Sequence, residues 1–170
     1  ILMSTTTFNV LTGDTANVGL RNYERLYTNS DYLLSLSNTI NFTFWSLSIK
    51  FVTGMIIAMI LHSKLPWRNL MSAIMLLPWI VPTVLGTMAW LWLFNPNFSV
   101  LNYMLVESGL MKVGFNWLTN PDLALFSVLL VNAWRGVPFM AITVLAGLQA
   151  IPQDLYDASS IDGAGKLQRF

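Results

Sequence analysis

The stretch from Leu70 to Phe94, LMSAIMLLPWIVPTVLGTMAWLWLF, holds no ionisable side chain. A hydrocarbon layer of about 30 Å takes roughly 20 helical residues at about 1.5 Å each, so this run is long enough to cross one. A helix that is apolar on every face has no place on the surface of a water-soluble domain. Pro78 and Pro82 interrupt the run and remove backbone donors, but in a membrane bundle neighbouring helices re-satisfy the freed carbonyls, and one kinked span is expected. Two further runs have comparable reach. Residues 36–61 are apolar except for Lys50, with Asn38, Thr39, Asn41 and Thr43 near the start, and residues 122–150 carry Asn132 and Arg135 near the middle with Pro138 just after. Composition agrees: 55% of the 170 residues are hydrophobic and 10% charged, where about 25% charged is usual for a soluble domain.

A charge at mid-bilayer costs about 2.5 to 3.5 kcal/mol on insertion scales, so Lys50 and Arg135 are expected to face protein or a water-filled cavity. Two readings stand for them. In one they line a solute pathway together with Asn132. In the other Lys50 snorkels or pairs with an acid on another chain, and Arg135 holds backbone unwound near Pro138.

The short connection at residues 62–69, HSKLPWRN, carries Lys64 and Arg68 and no acid. By the positive-inside rule it is cytoplasmic, and the rest of the topology follows from it. Residues 1–35 form an outer segment, 36–61 a transmembrane helix, 62–69 a cytoplasmic turn, 70–94 a second transmembrane helix, 95–121 an outer loop, 122–150 a third transmembrane helix, and 151–170 a cytoplasmic loop. Trp90, Trp92 and Trp117 fall where an outer aromatic belt is expected and Trp67 where an inner one is expected. Val100, Leu101, Met104, Leu105 and Leu110 recur at helical spacing, which suits a short amphipathic helix at the outer interface. Residues 1–10, apolar and Thr-rich but too short to span, are expected to be the outer end of an earlier helix. No basic n-region or small-residue cleavage site accompanies them, so a signal peptide is not indicated. The whole is expected to be a single partial domain of an all-α polytopic membrane protein, because three helices do not enclose a path, which implies missing helices, a partner, or both.

Several chemistries are excluded. Nine Lys and Arg against eight Asp and Glu give a net charge of +1, which offers no basic face for nucleic acid. Cysteine is absent and His62 is the one histidine, so thiolate and His-paired metal sites are not expected. Gly163-Ala164-Gly165-Lys166-Leu167 is no phosphate loop, since Ser or Thr is missing after Lys166 and Ser160 stands where the first Gly belongs. With no catalytic constellation in the chain, no enzymatic activity and no cofactor are expected. If ATP drives this protein, a separate subunit binds it.

The tail, IPQDLYDASSIDGAGKLQRF, is the most specific segment. Pro152 suits the first position of a helix and Asp154 its first turn. Leu155, Ala158 and Ser159 share one small, lightly apolar face that fits a groove on another protein, and Gly163 suits the turn that ends such a helix. A plain amphipathic surface helix fits the same pattern.

These residues resemble the cytoplasmic loop of bacterial ABC importer permeases, whose pattern is Glu-Ala-Ala, three positions, then Gly. Asp157, Ala158 and Ser159 take the first three places and Gly163 the last, and Tyr156, Asp162 and Ala164 match the sugar-type subgroup. Gly19-Leu20-Arg21-Asn22-Tyr23, Ser37-Asn38-Thr39, Leu76-Leu77-Pro78-Trp79 and Leu91-Trp92-Leu93-Phe94 resemble the family in order. Trp134-Arg135 with Pro138-Phe139, and the run from Leu145 to Pro152, continue the match. Asp157 in place of Glu shortens the carboxylate's reach by a methylene, and Ser159 replaces Ala. The resemblance implies a permease of about six helices in the bacterial inner membrane, of which this chain would lack most of the first helix and everything after the loop. It further implies a pair of ATP-binding subunits docked on the loop, a second permease subunit that is a different chain, an extracytoplasmic solute-binding protein, and a sugar or related polyol or glycerol-phosphate-type solute. From the residues alone two alternatives stay open. One is an ion-gradient-driven transporter or channel that uses Lys50 and Arg135; the other is an assembly subunit that packs through Gly54 and Ala58.

Overall fold

Three β-branched threonines in a row, Thr5 to Thr7, favour extended backbone, and the computed structural model of the protein places a short antiparallel hairpin there. The structure describes residues 2–10, 12–63, 66–165 and 168, so Lys64 of the basic turn and Lys166 and Leu167 of the tail lie outside the described residues. The chain falls into two compact units, Ile1–Phe44 and Trp45–Phe170. In the first unit a 3-10 turn at Leu2–Thr5 leads into β1 (Thr6–Phe8), which pairs with β2 (Thr15–Asn17) in the register Thr6 opposite Asn17. The turn between them closes through Gly13, at φ +73°, whose amide donates to the Asn9 carbonyl at 2.8 Å. Among residues 2–10, therefore, the structure shows not the outer end of a helix as expected but a 3-10 turn followed by a strand, Thr6–Phe8, paired into a ribbon with Thr15–Asn17. Helix α1 (Arg21–Thr28) holds that ribbon through Asn22, whose Nδ2 donates to the carbonyls of Ser4 and Thr6 at 3.0 and 3.2 Å. Asn29 is extended and its Oδ1 accepts from the Tyr32 amide at 3.0 Å, which caps the start of α2 (Ser30–His62).

In the second unit the remainder of α2 is followed by α3 (Arg68–Ile80), α4 (Thr83–Leu93), α5 (Val100–Glu107), α6 (Pro121–Gln149) and α7 (Gln153–Ile161). Helices α2 and α6, with 33 and 29 residues, are each long and apolar enough to cross a membrane. Their contacts advance together. Ser46 meets Asn132, Lys50 lies on Gly136, Gly54 on Met140 and Ala141, and Ala58 and Leu61 on Leu145. Each step is about four residues on both helices, so α2 and α6 run parallel. Ala58 and Ala141 are fully buried at this seam, and a Cβ at Gly54 would stand 2.7 Å from Met140 Cγ and 3.2 Å from the Ala141 amide. Between helices in lipid there is no hydrophobic driving force, so this close approach of small residues supplies the packing.

The single kinked span expected over residues 70–94 is two helices bent by 86°. Pro82 removes a donor and its ring would clash with the Pro78 carbonyl in a continuous helix. Val81, just before it, is driven out of the helical region and stands at φ −55°, ψ 128°. Two aromatic pairs tie the broken pair to α6: Trp79 stacks on Phe139 at 5.6 Å, and Trp90 meets Trp134 edge-on at 5.6 Å. By contrast α6 runs unbroken through Pro138, which is buried; the unwinding there that would have occupied Arg135 is absent.

Beyond α4 the chain turns back through the most thoroughly buried polar cluster of the described residues. Ser99 caps α5, accepting from the Asn102 amide at 3.0 Å while its hydroxyl donates to the Leu93 carbonyl. Asn102 then holds the following loop: its Nδ2 donates to the Phe115 carbonyl at 2.9 Å, and its Oδ1 accepts from the Phe115 amide at 3.0 Å and from Trp117 Nε1 at 2.8 Å. Trp117, expected at an aromatic belt, is instead 7% exposed, because its indole N–H has this buried partner. Helix α5 closes at Glu107, so Leu110, expected on its apolar stripe, lies past its end and 76% exposed.

Candidate functional site

Two places collect the residues singled out from the sequence. The first is a cavity of about 320 Å³ between α4 and α6, on whose wall Asn132 and Arg135 both stand. The i, i+3 spacing of the two puts them on one helical face. Arg135 Nη1 donates to Thr83 Oγ1, across from α6 to the first residue of α4. Neither α3, α4 nor α6 beyond Asp122 contains a carboxylate, so the guanidinium is met by a hydroxyl. Asn132 Oδ1 accepts from Ser46 Oγ of α2 at 2.7 Å. Aromatic surface comes from Trp90 and Phe94, and a further hydroxyl from Thr87. A largely apolar wall with a few convergent donors and acceptors is the usual make-up of a small-solute site.

Lys50 does not line this cavity. Its stem crosses the bare backbone of Gly136, where a Cβ would come within 2.5 Å of Lys50 Cε and 3.2 Å of Nζ. The cation therefore meets α6 one residue along from Arg135. Ser46 and Thr83 carried no charge or motif that would single them out. The available signals were the i, i+4 spacing of Ser46 from Lys50 and the position of Thr83 directly after a helix-breaking proline.

The Arg135 to Thr83 contact gives a measurable expectation. Thr83→Val should lower unfolding stability in detergent by about 1 kcal/mol, the scale of polar contacts between membrane helices, and should cost nothing further in an Arg135→Met background. Additive losses in that double-mutant cycle would mean the contact carries no energy.

The second place is α7. It buries none of its residues. Asp157, Ala158, Asp162 and Gly163 are exposed, Tyr156, Ser159 and Ala164 half-buried. Leu155 and Ile161 are left 61% and 87% exposed. Gln153 Nε2 donates to Asp157 Oδ1 at 3.2 Å along the helix, and the Ser159 and Ser160 hydroxyls both donate to the Tyr156 carbonyl at 2.8 Å. The helix closes with the Ala164 amide on the Ser159 carbonyl at 3.0 Å and the Gly163 amide on the Ser160 carbonyl at 3.2 Å, with Gly163 at φ +80°. This pair of bonds is a Schellman closure, which requires a left-handed residue at the Gly163 position. Tyr156 to Ala164 run along α7 and its closing turn, while Asn132 and Arg135 stand on the cavity wall and Lys50 lies on Gly136.

A family model described as "Binding-protein-dependent transport system inner membrane component" matches residues 50–170. The trehalose/maltose transport system permease protein MalF of Thermococcus litoralis is 40% identical over 153 residues, 90% of this chain and 51% of that protein. The arabinooligosaccharides transport system permease protein AraP of Bacillus subtilis is 33% identical over 165 residues, 95% of this chain and 51% of that protein. The chain thus spans about half the length of these relatives. Its fold is similar to that of a chain in the crystal structure of a bacterial alginate ABC transporter in complex with alginate pentasaccharide-bound periplasmic protein. The TM-score is 0.76 at 24% identity, over 88% of this chain and 52% of that one.

Proposed function

Because the chain belongs to the family of binding-protein-dependent transport system inner membrane components, we propose that it is part of a permease subunit of an ATP-driven importer for a sugar or a related polyol or glycerol-phosphate-type solute. The relatives are named as permeases of saccharide transport systems, so ATP hydrolysis is assigned to a separate pair of subunits, with a second permease chain and a solute-binding protein completing the assembly. The observation that carries this reading is α7, a helix that buries no residue and ends in a glycine closure just past the membrane-length α6.

Parallel packing of α2 on α6 supports three crossings. A chain that enters both helices from the same side must return between them, and the bent pair α3–α4 is the segment available to do so. With the turn carrying Arg68 in the cytoplasm, α7 falls on that same side, and residues 1–35 and 95–121 lie outside. Asp157, Ala158, Ser159 and Gly163, flanked by Tyr156, Asp162 and Ala164, form the contact with the ATPase. Asn132 and Arg135 meet the solute in the cavity, and Lys50 stands beside the pathway.

The test is capture. The full-length protein, extracted in detergent, is expected to co-purify with its ATP-binding subunit, and Ala158→Arg, which places a long cation on the exposed small face, should lose most of it. Equal capture of the ATPase by wild type and variant would remove α7 from the interface. A folded, inserted wild-type protein that holds no ATPase, and uptake that follows an ion gradient, would replace the importer reading altogether.

A further inference from the structure

On the importer reading, we propose that Asn102 is a positioning residue for the solute cavity: it lines none of that cavity and sets its outer wall through Trp117. Phe94, Leu118 and Ser127 stand on the wall, and each is one step from Trp117. The Phe94 and Trp117 rings lie 5.5 Å apart, the Ser127 hydroxyl reaches the Trp117 carbonyl at 2.9 Å, and Leu118 is the next residue in the chain. Trp117 itself is fixed by its indole N–H on Asn102 Oδ1. One amide side chain thus orients three wall residues it does not touch.

The residue type follows from the bonding. The Oδ1 accepts two hydrogen bonds while the Nδ2 donates one to the Phe115 carbonyl. Asp has no N–H for that donation, and Leu has neither donor nor acceptor. The backbone closes in as well, for a Cβ at Gly114 would stand 2.8 Å from Asn102 Cγ. Five of the least exposed residues, Phe94, Ser99, Asn102, Trp117 and Ser127, gather here at the end of the cavity, away from the seam of α2 on α6. A polar network satisfied at every atom fixes one geometry where apolar packing tolerates several. Solute affinity therefore depends on Asn102, while the rate of the ATP-driven step does not.

The test uses the full-length protein in its assembled complex, with Asn102→Leu and Trp117→Phe; the second keeps an aromatic ring beside Phe94 and removes the indole N–H together with part of the ring. Both should raise the KM for uptake about tenfold, the scale of one buried group left unpaired, with maximal uptake per assembled transporter little changed. Their double variant should match the larger single effect. A second readout does not need transport. These 170 residues contain no cysteine, so in a full-length complex whose remaining cysteines have been replaced, Val131→Cys on the cavity wall reports access to a small maleimide; its labelling rate should shift in either background, while a control Gly147→Cys should not. Unchanged KM and unchanged labelling in Trp117→Phe overturn the proposal even if Asn102→Leu fails to assemble. Loss of protein from the membrane with normal KM in what remains also overturns it, since that is what a purely structural role gives. Wild-type complex that imports no solute under ATP defeats the importer reading, and the labelling shift still decides the role of Asn102.

Discussion

Gly163→Trp is expected to abolish ATP-driven uptake while leaving the protein inserted and at normal abundance. The position stands at φ +80° with nothing within 4 Å of where a Cβ would be built, so the damage comes from backbone conformation and lost docking space rather than from a collision inside the chain. A non-glycine residue held left-handed costs roughly 1 to 2 kcal/mol. The helix closure relieves that by giving up the Schellman bonds, and the chain after α7 then leaves in a different direction. Uptake by reconstituted vesicles and ATP hydrolysis by the same preparation are the measurements. Hydrolysis without uptake is the expected result; solute-stimulated uptake at the wild-type rate would take the coupling role away from this turn. Gly163→Asn, which tolerates the left-handed region better than other residues, should retain more uptake than Gly163→Ala.

Gly54→Leu should be the most destabilising substitution within the helix pair. Its Cβ alone would press on Met140 and on the Ala141 backbone, and the latter has no flexible end with which to yield. Overpacking of this kind costs about 3 kcal/mol, and the loss should appear as an early transition when the purified protein is titrated with denaturing detergent. Gly147→Ala is the matched control. It lies on the same α6 with nothing within 4 Å of the added methyl, so it should be neutral or stabilise the helix by up to about 1 kcal/mol. Equal behaviour of the two variants would mean that α2 and α6 do not meet at Gly54.

The membrane-length helices were legible because hydrocarbon demands long apolar runs, and little else in a chain of this composition satisfies that demand. What the runs could not convey was the angle between them. Pro78 and Pro82 announce a break, but neither its 86° size nor the contacts of Trp79 and Trp90 with Phe139 and Trp134 are encoded in any local pattern. The hairpin of Thr6–Phe8 with Thr15–Asn17 was missed for a different reason: an apolar, Thr-rich start is compatible with a helix end until the Asn9 to Asp14 turn is given its weight. Asn132 and Arg135 were singled out by their polarity within an apolar run, and the structure puts both on one cavity wall. Ser46, Thr83 and Gly136 were not, since each matters only through a partner on another helix. Asn102 was hidden most completely, a neutral side chain in a short helix whose role rests on three bonds to a loop more than ten residues away.

The break at Val81 and Pro82 also bears on how the chain is made. Helices α3 and α4 have 13 and 11 residues, about 20 and 17 Å, so neither half matches about 30 Å of hydrocarbon alone, and on the three-crossing proposal the two would insert as one hydrophobic unit. Three contacts on the two halves come from α6: Phe139 under Trp79, Trp134 beside Trp90, and Arg135 on Thr83. Phe139 leaves the ribosome about 60 residues after Trp79, roughly 3 to 12 s later at about 5 to 20 residues per second. During that interval the segment carries the break set by Pro82 without the partners on α6 that pack against both of its halves.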